Sequence, residues 1–165
     1  ADFRCHHCKS AYPSLDNFVK SHPDVRLEFY NFPLDGECNE AIPQPSGVSC
    51  RMAYAVQCAQ KQNAGWEMHH HLVDVQETLH KILTTQNFTT IIDEQIRKVC
   101  VKNSLNCENV FQCSGDPETK DAVRLQAKQG AQAKVEGTPA IYANGKLLLR
   151  GQLIPVLEAA LKFPK

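Results

Sequence analysis

Eight cysteines in 165 residues constrain this chain more than any other feature. Their number is even, which suits an oxidising compartment and several bridges; the rival is a reduced protein with a metal site. They are too few, in a chain this long, to replace a core. A chain of this length is one domain, or one domain with an inserted subdomain, and buries roughly 70% of its unfolded surface. Lysine plus arginine and aspartate plus glutamate number 18 each, so the formal charge is zero. That excludes binding to nucleic acid by bulk charge, which needs a basic surface to displace counterions. No apolar run approaches the ~20 residues that span a bilayer. No signal peptide is visible, and Ala1 is not an initiator methionine, so a processed or trimmed front is expected.

The first two thiols sit in Cys5-His6-His7-Cys8. Ala1–Arg4 ahead of them can end a strand, and Lys9–Ser21 behind them shows helical spacing at Tyr12, Leu15, Phe18 and Val19. Pro13 should kink that helix. A cysteine at a helix start feels exposed backbone N–H groups and the helix dipole, and both favour an anion. Its thiol pKa falls below the reference of about 8.5. His6 and His7 can add charge or hydrogen bonds to the thiolate. We therefore expect an exposed Cys5 with a depressed pKa and a buried Cys8, poised to interconvert as dithiol and disulfide. The alternative is a structural zinc site, which needs a second ligand pair.

Further elements follow from pattern. Arg26–Leu34 is rich in aromatic and branched residues and predicts a buried strand, ended by Pro33 and Asp35-Gly36. Ser46–Lys134 reads as helix throughout. Ser46 or Ser49 caps a helix through Gln62, with Met52 on its apolar face. A second helix spans Trp66–Leu83, with Met68, Leu72, Val75 and Leu79 on one face. Thr89 or Thr90 caps a third to about Lys102, a short one lies near Glu108–Cys113, and Asp116-Pro117 opens a last one. Ala140–Ala143 and Lys146–Leu149 flank Asn144-Gly145, a strong hairpin signal. Gly151 punctuates, and Pro155–Lys162 closes as a helix.

Gly137-Thr138-Pro139-Ala140 precedes the hairpin. A cis Thr138–Pro139 bond would expose the Thr138 backbone beside the thiols, ready to pair with an extended peptide. The other six cysteines are structural disulfide candidates. Cys50 and Cys58 are eight apart on one helix, a rise of roughly 12 Å. That exceeds the ~7 Å Cα limit of a disulfide. Cys38 can reach Cys50, and Cys100 can reach Cys107 across a turn; Cys58 and Cys113 are left, paired or buried. His69-His70-His71 cannot converge on one ion, because consecutive helical residues point about 100° apart.

Together the residues resemble the DsbA-like branch of the thioredoxin superfamily. The likeness is carried by Asp2-Phe3-Arg4-Cys5-His6-His7-Cys8, Pro13, Trp66-Glu67-Met68-His69, Val135-Glu136-Gly137-Thr138-Pro139, Tyr142-Ala143-Asn144-Gly145, Gly151 and the final helix. It implies an α/β thioredoxin fold with an inserted helical subdomain. The core would be 1–45 and 135–165, and the insertion 46–134, covering one end of the core and shaping an apolar groove beside Cys5. By position, Cys5 resembles the nucleophile, Cys8 the resolving thiol, His7 the thiolate-stabilising residue and Pro139 the cis-proline. His6 stands where many members have proline. The expected activity is thiol–disulfide exchange with cysteine-containing proteins, most readily in the oxidising direction. The alternatives are a reductase or isomerase on the same residues, or a zinc module using Cys5 and Cys8. We expect an extracytoplasmic monomer, in the bacterial periplasm or on the outer face of the membrane. It would need no cofactor, metal or nucleic acid, and a quinone-linked membrane partner would reoxidise it. With four residues before the motif, a domain cut from a longer chain is expected, behind a quinone reductase of the vitamin K epoxide reductase type.

Overall fold

The computed structural model describes residues 1–82, 87–148 and 153–162. The ends of two expected elements, Leu83 and Leu149, and Gly151 lie outside them. The first helix, α1 (His6–Ser21), begins directly after Cys5 and runs without a break through Pro13. The helical block is α2 (Val48–Gln60), α3 (Gly65–Asp74), α4 (Gln76–Ile82), α5 (Phe88–Lys102), α6 (Cys107–Gly115) and α7 (Pro117–Gln132). A hairpin, β1 (Tyr142–Ala143) with β2 (Lys146–Leu147), and α8 (Leu153–Lys162) complete the order.

The block is built on α2, which packs against α3, α5, α6 and α7. Met52, Met68, Leu72, Leu79 and Ile92, named from helical spacing, are all buried, as is Val110 of α6. Phe3, two residues before Cys5, belongs to the same apolar cluster. The motif and the helices therefore share a core.

Three expectations need correction. Arg26–Leu34 is not a strand; among the described residues its backbone–backbone hydrogen bonds are with Ala1 alone. Phe32 N–H donates to the Ala1 carbonyl at 2.8 Å, and the Ala1 ammonium donates to the Tyr30 carbonyl at 2.9 Å. That is the bonding of a parallel ladder one residue long. On the other edge the Asn31 N–H goes to the Gln126 side chain of α7 at 2.9 Å. Gly130 lets α7 come that close, since a Cβ there would lie 2.5 Å from the Phe32 ring. Among the described residues the sheet is thus the two-stranded hairpin. Its Asn144 and Gly145 have φ of 49° and 78°, the left-handed pair of a type I′ turn.

The second correction concerns helix starts. Gly47, not Ser46 or Ser49, is the residue before α2, and it makes no side-chain cap. Asp35 does that work from eleven residues upstream of Ser46. Its fully buried carboxylate accepts from the N–H groups of Ser46, Gly47, Ser49 and Glu37 and from the Ser46 hydroxyl. Burial alone would raise its pKa; these bonds outweigh burial and hold it below the ordinary value. Thr89 and Thr90 lie inside α5, which starts at Phe88. The third correction is that the 66–83 helix is two helices, α3 and α4, interrupted at Val75.

Two disulfides brace the block. Cys38–Cys50 ties the proline-rich loop to α2, with Cα atoms 5.9 Å apart. Cys58–Cys113 ties α2 to α6. Cys100 and Cys107, an expected pairing, are separate thiols here. The two bridges span 12 and 55 residues. In the chain-entropy account these loops correspond to about 3 and about 4 kcal/mol. Cys58→Ala/Cys113→Ala should therefore lower the urea midpoint further than Cys38→Ala/Cys50→Ala. The reverse order would show that Cys38–Cys50 does more than shorten a loop.

Candidate functional site

Cys5 is the residue that caps α1. Its sulfur accepts from the Cys8 N–H at 3.3 Å, and its carbonyl accepts from the N–H groups of Cys8 and Lys9. The sequence places it there because nothing in Asp2-Phe3-Arg4 continues a helix and the first turn that follows is helical. From the other side comes Thr138. The Thr138–Pro139 peptide bond is cis, and the Thr138 carbonyl accepts from the Cys5 thiol at 3.2 Å. A segment 133 residues away is thus in contact with the motif.

The two thiols differ in electrostatics and not in exposure. Each cysteine is 8% exposed, so the expected exposed Cys5 is not found. The Cys5 pKa nonetheless falls to about 5. The largest cause is coupling to the Cys8 thiol, aided by Thr138 and by the Cys8 N–H against the cost of burial. The same coupling, with burial, pushes the Cys8 thiol strongly up. The Thr138 carbonyl cannot bond a thiolate. The Thr138 hydroxyl, buried without a hydrogen-bond partner among the described residues, is the donor at hand when Cys5 ionises. Asp2, itself buried, places negative charge near Cys5 and opposes ionisation.

His6 and His7 are exposed, with ring centroids 6.1 Å apart. Neither hydrogen-bonds Cys5 among the described residues. The histidines of α3 do other work. His69 is buried in an aromatic cluster with Phe3, Tyr12, Phe29 and Trp66. Burial, then His70, lowers its pKa to about 3, so it is neutral. His70 meets the Tyr12 hydroxyl, and His71 contacts Gln95 at 3.1 Å. Among the described residues no group of three or more His, Cys, Asp or Glu side chains could hold a metal ion.

Gln76 is the residue that sequence reasoning missed. It is buried at the first position of α4, and its amide donates to the carbonyls of Phe3 at 2.6 Å and Cys5 at 3.2 Å. The break at Val75 turns it toward the motif. No proline or glycine marks that break, so periodicity alone runs straight through it.

A cavity of about 590 Å³ lies on the Cys8 side of the motif. It is bounded by Ala1, Cys8, Phe29, Trp66, Pro139 and Tyr142, so the core segments and the helical block both line it. Cys5 is not among its walls, in contrast to the expected groove. Residues 26–32 and 139–142 also line it.

The family model of the DSBA-like thioredoxin domain matches residues 1–162. No curated protein and no solved structure matches the chain.

Gln76→Ala would leave the buried Phe3 carbonyl without its donor, while the Cys5 carbonyl keeps the Cys8 and Lys9 N–H groups. An unsatisfied group costs about 1–3 kcal/mol. We expect a lower urea midpoint together with a changed Cys5 pKa, because the cap residue loses one of its backbone donors. Unchanged stability would mean that the Phe3 carbonyl finds water instead.

Proposed function

Since the chain belongs to the DSBA-like thioredoxin domain family, we propose that it forms disulfides in protein substrates by exchange through Cys5 and Cys8. The observation that carries this reading is the opposed shift of two adjacent thiols, Cys5 down to about 5 and Cys8 up. Groups that favour the Cys5 thiolate stabilise the dithiol form. A stabilised dithiol makes the disulfide a stronger oxidant.

The steps follow from those shifts. With Cys5 and Cys8 bonded, a substrate thiolate attacks the Cys5 sulfur. The Cys5–Cys8 bond breaks, and Cys8 leaves as a thiolate that takes up a proton, because its environment disfavours the anion. The substrate is now bonded to Cys5. A second substrate thiolate attacks the substrate sulfur of that bond, and Cys5 departs as a stabilised thiolate, which makes it a fast leaving group. Two substrate thiols are oxidised to one disulfide, and the motif is reduced to a dithiol.

In this reading Thr138 and Pro139 hold the extended substrate against Cys5; Thr138's carbonyl, released by the Cys5 thiol on ionisation, becomes free for a substrate N–H. His6 and His7 present their rings at the solvent edge of the motif, where the substrate arrives. Residues 1–45 and 135–165 act as the core, and 46–134 as an inserted helical subdomain that supports the motif through Gln76. A quinone-linked membrane partner accepts the electrons. Extracytoplasmic residence fits the family and the two disulfides. Among the described residues no helix is long and apolar enough to cross a membrane.

The test mixes the oxidised chain with a reduced, unfolded protein that has one native disulfide. Substrate disulfide should form faster than with glutathione disulfide alone. Cys5→Ser should abolish this, and so should Cys8→Ala, which has no Cys5–Cys8 disulfide to transfer. Equilibration with glutathione reads the direction. A potential well above the roughly −230 mV of reducing glutaredoxins is expected, and one near the −270 mV of thioredoxin would assign the chain to reduction.

A further inference from the structure

Six cysteines lie outside the motif, and four of them are bonded. The remaining two, Cys100 and Cys107, are brought together by the turn between α5 and α6. Cys100 is in the last turn of α5 and is 1% exposed. Cys107 is the first residue of α6 and is partly exposed. The chain reverses between them. Ser104 takes a left-handed φ of 54°, and the Leu105 N–H returns to the Cys100 carbonyl at 2.9 Å. Asn106 then caps α6 by accepting from the Asn109 N–H at 3.0 Å. Cys107 packs against the apolar cluster that contains Cys100. Burial, then Cys107, pushes the Cys100 thiol up to about 12. Arg97, one turn earlier on α5, lies over the Phe111 ring of α6 at 4.6 Å and bridges the same two helix ends.

One thiol is shielded, its neighbour can be reached from solvent, and a short turn holds both in place. From this arrangement we propose that Cys100 and Cys107 are a second redox couple, separate from Cys5 and Cys8, that a small disulfide oxidises through Cys107. The Cys107 thiolate attacks glutathione disulfide, the glutathione S–S bond breaks, and one glutathione leaves and takes a proton. Cys100 then gives up its proton and attacks the Cys107 sulfur, releasing the second glutathione. Two cysteine thiols become one disulfide, and one glutathione disulfide becomes two thiols. Excess glutathione reverses both steps. The oxidised couple would lock the end of α5 to the start of α6, while Cys58–Cys113 holds the far end of α6.

The test uses the Cys5→Ser/Cys8→Ser chain, so that the motif is silent whatever its own reaction proves to be. The protein is equilibrated in glutathione buffers of graded ratio, alkylated after denaturation, and cut with trypsin. Cleavage after Lys98, Lys102 and Lys120 separates Cys100 from Cys107. A Cys100–Cys107 bond is then read as the joining of peptide 99–102 to peptide 103–120, which the Cys58–Cys113 bridge already ties to peptide 52–61. We expect both residues to lose alkylation together as glutathione disulfide rises, and to regain it when glutathione is restored to the folded chain. Cys100→Ala should instead accumulate glutathione on Cys107. Alkylation of both cysteines at every ratio would overturn the proposal. So would a cross-link that excess glutathione does not open, since that bond would be a static brace.

Discussion

The electrostatic coupling of the Cys5 and Cys8 thiols is the interaction on which this site depends. It lowers one thiol and raises the other, so a single proton distinguishes them. Neither shift requires solvent exposure, since both residues are buried equally. The coupling exists because Cys5 is the cap of α1 and Cys8 lies one turn in, where its N–H donates to the Cys5 sulfur. The helix start does two things at once: it fixes the spacing of the sulfurs and supplies the field that favours an anion.

Everything else in the fold holds that helix start in position. Thr138 approaches from the segment before the hairpin and Gln76 from the break between α3 and α4. Phe3 anchors the preceding residues in the apolar cluster of the helices. The helical block is therefore part of the site's support as well as its neighbour. Asp35 plays the corresponding part at the start of α2, the helix around which the block is packed. The carboxylate orders the loop of the Cys38–Cys50 bridge and caps the helix together.

Local physics was legible in the residues, and distant pairing was not. The C-x-x-C helix start, the Asn144-Gly145 turn and the buried faces led by Met52, Met68 and Leu72 all rest on spacing within a few residues. Arg26–Leu34 has the composition of a buried strand, but a ladder needs a partner, and among the described residues its backbone–backbone bonds are confined to Ala1. Capping by Asp35 and support by Gln76 act across gaps of 11 and 71 residues, where no periodicity reports them. Ser46 and Ser49 look like caps because their side chains suit the role; Ser46 accepts from the Val48 N–H at 3.4 Å, but the buried Asp35 carboxylate takes the N–H groups of Ser46, Gly47 and Ser49. The chemistry of the two thiols is legible in direction and its cause in part, since the Cys8 N–H at the helix start helps lower Cys5. The histidines were the visible candidates, yet the Cys8 thiol is the largest cause of the shift.

The most direct measurement is the thiolate absorbance of the reduced chain against pH, with Cys100 and Cys107 replaced by alanine so that only the motif titrates. A depressed folded-state pKa contributes stability to the reduced chain that is fully present above the unfolded value of about 8.5 and is lost as pH falls to the folded pKa. The account predicts a first midpoint near 5 that belongs to Cys5 and moves upward in Cys8→Ala. A first midpoint at or above about 8.5, the value of an unperturbed cysteine, would contradict it.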